Sequence, residues 1–163
     1  MANVLDVATP AHDQVITHRY VAHYPNHEPR DSDPHYVDFQ AFRRRTKGSP
    51  CSYGAMLDDF SDCHGQMELH HSHIEFAIQN GVNLIHLEKF YPGVSNVNQV
   101  GAWTESAENL VWLCERHHRD AGAGVHDLSA SDYEGTKFVD ALFSAVVVTT
   151  SAALDVPEDD VPE

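Results

Sequence analysis

Four stretches of the chain hold most of its reactive side chains. Glu68-Leu69-His70-His71 ends in paired imidazoles, and Asn109 stands alone in the segment that follows. Cys114-Glu115-Arg116-His117-His118 ends in a second pair, and His126 follows a glycine-containing loop, AGAG. Histidine is the unusual residue: 13 are present, eight of them between His64 and His126. Three imidazoles from separate stretches, His70, His118 and His126, can gather around one divalent cation. Such a site keeps coordination positions open, as a catalytic metal requires and a structural metal does not. Neighbouring residues at the end of a strand face opposite ways. His70 and His71 therefore serve one site only if the chain turns there, one ring ligating metal while the other meets substrate. The Ser72-His73 that follows is compatible with a turn. A lone histidine is more often a surface or satisfied residue, and His64, His73 and His86 read that way, with His73 the rival to His71 for any base role.

These groups need elements to hold them. Gln66 to His70 alternates as a strand does, and Leu110 to Leu113 reads as a short buried strand or a helix entry. Asp33-Pro34 predicts a helix start, with Asp as the cap and Pro at the first helical position. That helix runs through Tyr36, Phe39 and Phe42 to Arg45 and stops before Gly48-Ser49-Pro50. Helical spacing recurs at Ile74–Ile78, ended by Asn80-Gly81, and at Leu84–Phe90, ended by Tyr91-Pro92-Gly93. Thr17 to Tyr24 suggests a strand. Ser129 to Phe143 suggests a helix, with Ser131 and Glu134 as a capping box.

With 163 residues the chain has room for one sizeable core. Ten basic against 25 acidic residues give a net charge of −15, which argues against nucleic-acid binding by bulk charge. A local basic site or a bound cation is still compatible with that balance. Six of the ten bases (Arg19, Arg30, Arg43, Arg44, Arg45 and Lys47) lie in the first 47 positions. The run Arg43, Arg44, Arg45, Lys47 is the best candidate for phosphate contacts; as a plain alternative, it is the solvated last turn of a helix, where cations favour the dipole. No apolar run is long enough to span a bilayer. The first residues lack a secretory pattern, so a cytoplasmic location is expected. Three cysteines is an odd number, which suits metal binding or free thiols better than a disulfide framework.

The run ELHHSHIEF, the segment ENLVWLCERHHRDAG and the trailing VH together resemble the HNH endonucleases, the ββα-metal or His-Me finger nucleases. The nine-residue step from Asn109 to His118 matches that family's spacing. The likeness covers roughly Cys51 to His126. The sequence departs from the family's pattern in a long insert between His71 and Asn109, and in a His118-to-His126 step longer than HxxxH. The resemblance implies an α+β fold with a ββα-metal core, additional helices and an irregular N-terminal segment. It places a nuclease core at 49–128; the flanking residues read as a 1–48 extension with a basic helix, a 129–150 helix packing on the core and, from its acids and prolines, a 151–163 disordered acidic tail. It implies a DNA endonuclease in which His71 is the general base and Asn109 orients its ring. His70, His118 and His126 would bind Mg²⁺ or Mn²⁺, or else Zn²⁺ or Ni²⁺. Small proteins of this kind resemble those of phages and bacteria.

The resemblance also implies a structural zinc on Cys51, Cys63, Cys114 and His117. The alternative is three ordinary buried thiols. Asn109 has an alternative too, as a turn or cap residue before the second strand. DNA is the expected partner, with a second protein delivering it if the basic run does not guide it. The competing expectation is a non-catalytic, zinc-stabilised binding module. A hydrolase of small phosphate esters ranks below both, because the paired carboxylates of a two-metal site are missing.

Overall fold

A computed structural model of the chain describes residues 10–12, 14–16, 23–130, 133 and 137. Helices combine with a two-stranded antiparallel sheet, an α+β arrangement. In chain order the elements are α1 (Tyr36–Arg45), α2 (Ser52–Leu57), β1 (Met67–His71), α3 (Leu84–Phe90), α4 (Val97–Thr104), β2 (Leu110–Cys114) and α5 (Glu115–Arg119), with short 3-10 turns at Arg30–Ser32 and Phe76–Gly81. None of these helices is long and apolar enough to cross a membrane.

The sheet pairs Met67 with Cys114, Leu69 with Trp112 and His71 with Leu110. Two strands alone are marginal in water; here Leu113 and Cys114 of β2 join one of two apolar clusters. Cys51, Tyr53, Leu113, Cys114 and Tyr133 gather in that one. Leu87, Val94, Val100 and Trp103, all from the insert between the strands, form the other cluster.

The basic helix begins later than Asp33-Pro34 implies. Asp33 Oδ1 accepts from the His35 amide at 2.7 Å, a local turn that delays regular helix to Tyr36. Its end is as expected: Thr46 bonds back to the Phe42 carbonyl through both its amide (2.9 Å) and its hydroxyl (2.8 Å). The same hydroxyl accepts from Trp112 Nε1 at 2.9 Å, which ties α1 to β2. The first strand is Met67–His71, one residue beyond the reading from alternation, so His71 lies on the strand itself. The helix expected at Ile74–Ile78 is a 3-10 turn over Phe76–Gly81, and Leu84–Phe90 is helical as read. Two helices were not foreseen. The start of α4 carries a legible signal, since Asn96 Oδ1 caps the Gln99 amide at 3.1 Å while Gln99 Oε1 accepts from Asn96 Nδ2 and from the Ser95 amide. The six-residue α2 shows no comparable cap: its N-cap, Cys51, makes no side-chain capping bond.

The Thr17–Tyr24 strand falls largely outside the described residues, as do most of the Ser129–Phe143 helix and the acidic tail. Of the C-terminal helix, one bond of helical spacing is described, from the Tyr133 amide to the Ser129 carbonyl at 2.9 Å.

Candidate metal centres

Two ligand clusters flank the hairpin, and α5 contributes to both through adjacent residues. His117 faces one and His118 the other.

In the first cluster Cys51, Cys63, Cys114 and His117 bring their ligand atoms within 4.8 Å of one another. His117 Nδ1 lies 3.6 Å from the sulfurs of Cys51 and Cys63 and 3.1 Å from that of Cys114. In a tetrahedral zinc site, with Zn–S about 2.3 Å and Zn–N about 2.05 Å, sulfur and nitrogen sit about 3.6 Å apart. Cys51 and Cys63 match that spacing and Cys114 stands closer, and a Cys₃His donor set suits zinc. Gly54 makes the approach possible: a Cβ there would meet the Cys63 sulfur at 2.9 Å and a Phe60 ring carbon at 2.6 Å. Tyr53 stacks on the His117 ring, centroids 3.9 Å apart. Burial and the neighbouring sulfurs push the Cys63 thiol up to about 12. Cys51 shifts the other way. Burial opposes its ionisation, but backbone bonds from Gly54, Cys114 and Tyr53 outweigh that and lower its pKa. A bound cation relieves such crowding of sulfur.

The second cluster is His70, His118 and His126, again with ligand atoms within 4.8 Å. Strand and helix place the first two rings, and a loop places the third. Gly124 lets that loop fold back on α5, for a Cβ there would meet the Arg119 amide nitrogen at 2.6 Å. The Val125 amide then bonds the His117 carbonyl (3.0 Å) and the His126 amide the His118 carbonyl (3.2 Å). His118 Nδ1 donates to Glu68 Oε2 at 2.6 Å, and Arg119 donates to the same oxygen at 2.8 Å. That fixes the His118 tautomer with its Nε2 lone pair turned inward. His126 Nε2 stands 3.0 Å from it. Two nitrogens about 2.1 Å from one ion and at right angles lie about 3.0 Å apart. His70 Nδ1 is buried and without a hydrogen bond among the described residues. Burial pushes the His70 pKa down to about 4, and burial together with the His118 charge lowers that of His126. Both rings are thus neutral at neutral pH and able to ligate. The exposure of His126 leaves one side of the cluster open to solvent.

Beside this cluster is a cleft of about 200 Å³, lined by Arg30, Phe39, Leu69, His70, His71, Glu75, His118 and His126. The His71 ring stacks against Phe39 at 6.4 Å between centroids. Its Nδ1 is 3.4 Å from Oε2 of Glu75, a cleft residue, and its Nε2 is 3.1 Å from Oε2 of Glu105, which does not line the cleft. Burial alone would lower the His71 pKa, but the bonds to Glu105 and Glu75 outweigh it and raise the value. Glu75 shifts the opposite way, its burial outweighed by His71, so it stays ionised. His73 takes no part in the cleft: its ring lies against Tyr91 (5.5 Å) and Trp103 (6.2 Å).

Asn109 departs from the expected role. Fully buried, it makes no bond to the His71 ring. Its Oδ1 accepts from the amides of His73 (2.9 Å) and Ile74 (3.0 Å), and its Nδ2 donates to the carbonyls of Ile74 and Thr104, both at 2.9 Å. It pins the turn after β1. Arg43, Arg44, Arg45 and Lys47 are exposed at the end of α1, and Arg43 stands one turn beyond the cleft residue Phe39. Sequence reasoning missed Glu68, Glu75, Glu105 and Arg30. Only Glu68 gave a signal, as a carboxylate two residues from His70 on the same strand face.

Comparison of the chain with protein-family models, curated proteins and solved structures finds no match.

Proposed function

We propose that the chain is a metal-dependent DNA endonuclease of the HNH type, with β1, β2 and α5 as its ββα-metal core. One observation carries this reading: His70, His118 and His126 converge beside a cleft that also receives His71. His70, His118 and His126 would hold the divalent ion. When bound, that ion supplies positive charge to the scissile phosphate and to the oxygen that leaves. His71 Nδ1, on the side of the cleft residue Glu75, takes the proton of the attacking water. Asn109 holds the turn that keeps the His71 backbone in place. Glu68 orients His118 through Nδ1. Cys51, Cys63, Cys114 and His117 would hold a structural zinc that anchors the other end of the hairpin.

DNA is favoured as substrate by the exposed Arg43, Arg44, Arg45 and Lys47, which continue from the cleft along α1. The chain's net charge of −15 leaves this short run to supply most of the phosphate attraction, unless a partner protein delivers the substrate.

Supercoiled plasmid incubated with Mg²⁺, Mn²⁺, Zn²⁺ or Ni²⁺ tests the proposal. Cleavage is expected with at least one of these ions and not with EDTA, and His71→Ala is expected to slow it by about 100-fold or more while metal still binds. Cutting that ignores His71→Ala overturns the mechanism. The second reading, a non-catalytic zinc-stabilised module, draws support from the sulfur–nitrogen distances of the cysteine cluster. It predicts one tightly held zinc and no cleavage with any ion.

A further inference from the structure

Three distant segments meet behind His71. Arg30 comes from the segment before α1, Glu105 from the end of α4 in the long insert, and His71 from the end of β1. The Glu105 side chain is 2% exposed, which for a carboxylate demands a partner. It has two. Arg30 Nη2 donates to its oxygens at 3.1 and 3.2 Å, and His71 Nε2 stands 3.1 Å from Oε2. The Arg30 guanidinium is itself held between two rings, 4.2 Å from the Phe39 centroid and 5.1 Å from that of Phe76. Glu105 is thereby locked in place before any substrate arrives.

This has a consequence for the imidazole. A carboxylate at 3.1 Å accepts only if Nε2 carries the proton. Arg30 Nη2 also approaches Nε2, but at 3.5 Å, the outer limit for a hydrogen bond. Glu75 Oε2 approaches the other nitrogen, Nδ1, at 3.4 Å, also longer than the contact to Glu105. The shortest and most buried contact decides the tautomer of the neutral ring, and the Nδ1 lone pair is left on the side of Glu75, which lines the cleft.

We infer that Glu105, clamped by Arg30, is a positioning residue that holds the His71 ring in its Nε2–H tautomer and aims Nδ1 at the reacting water. The inference rests on the nuclease reading for its chemistry but not for its geometry. It also assigns work to the insert and to the segment before α1: each contributes one member of a chain of contacts ending on His71. An amide in place of the carboxylate can donate to Nε2 and so favour the opposite tautomer. In the serine-protease triad an equivalent change costs about 10⁴-fold in kcat with the geometry intact.

The test combines two readouts on the zinc-loaded protein. Nitrogen-15 NMR of the imidazoles, with the His71 signals assigned by their loss in His71→Gln, is expected to show the proton on Nε2 of the neutral ring in the unaltered protein. In Glu105→Gln the proton should move to Nδ1. Plasmid cleavage by Glu105→Gln should fall about 100-fold or more in kcat, with KM within about twofold and metal binding at the histidine cluster unchanged. A proton on Nδ1 in the unaltered protein overturns the inference, even if Glu105→Gln fails to fold. So does a folded Glu105→Gln that retains full kcat in a protein whose unaltered form cuts DNA. If the unaltered protein cuts nothing, the nuclease reading fails while the NMR experiment still decides the tautomer.

Discussion

Asn109→Ala separates two accounts of this residue. If Asn109 only oriented the His71 ring, its loss would cost activity and little stability. The structure gives it four buried hydrogen bonds, two accepted and two donated, all between 2.9 and 3.0 Å. Alanine leaves the amides of His73 and Ile74 and the carbonyls of Ile74 and Thr104 without those partners. At about 1 kcal/mol net per bond the loss is about 4 kcal/mol. In a domain of this size that lowers Tm by roughly 8–16 °C. Asn109→Asp adds a sharper contrast. It keeps the two bonds accepted by Oδ1 but sets a carboxylate oxygen against two carbonyl oxygens, so about 2 kcal/mol or more is lost. Urea unfolding followed by fluorescence of the buried Trp103 and Trp112 measures both variants, with zinc held saturating so that metal loss does not complicate the transition. A midpoint shift worth less than about 1 kcal/mol in Asn109→Ala would refute the argument that this side chain pins the turn.

Glu68→Gln weakens the orientation of His118 and should lower metal affinity at the histidine cluster by about 10-fold or more, read by calorimetric titration with the cysteine cluster already filled. Cys51→Ser should remove one bound zinc, measured by elemental analysis. Because His117 and His118 are adjacent on α5, it should also weaken metal binding at the other cluster, and unchanged affinity there would show the two centres to be independent. Replacing Arg43, Arg44 and Arg45 together by Ala should leave urea stability within about 0.5 kcal/mol, since all three are exposed. The same change should reduce the salt slope of DNA binding by about 2.7, and a slope that does not move would place the DNA elsewhere.

The histidine set was legible from residue types, because metal chemistry admits few donors, and the cysteine set from the resemblance to the HNH endonucleases. Cys114-x-x-His117 and His118 with His126 are local, and the structure brings each pair together as read. The first strand was legible from alternation at Gln66–His70, while Leu110–Leu113 read equally as a strand or a helix entry; their antiparallel pairing became visible only in the structure. The His71 environment was not legible. Arg30 lies 41 positions before His71 and Glu105 lies 34 positions after it, and neither carries a local pattern that distinguishes it from the other charged residues. A carboxylate buried behind an imidazole is a consequence of packing, fixed by α4, by the rings of Phe39 and Phe76 and by the turn that Asn109 holds. Residue types and the family likeness thus singled out the side chains able to bind a cation, and the structure brings both groups together. Only the tertiary structure decided which partner each nitrogen of His71 meets, because Glu105 and Arg30 come from segments that reach it only once the chain is folded.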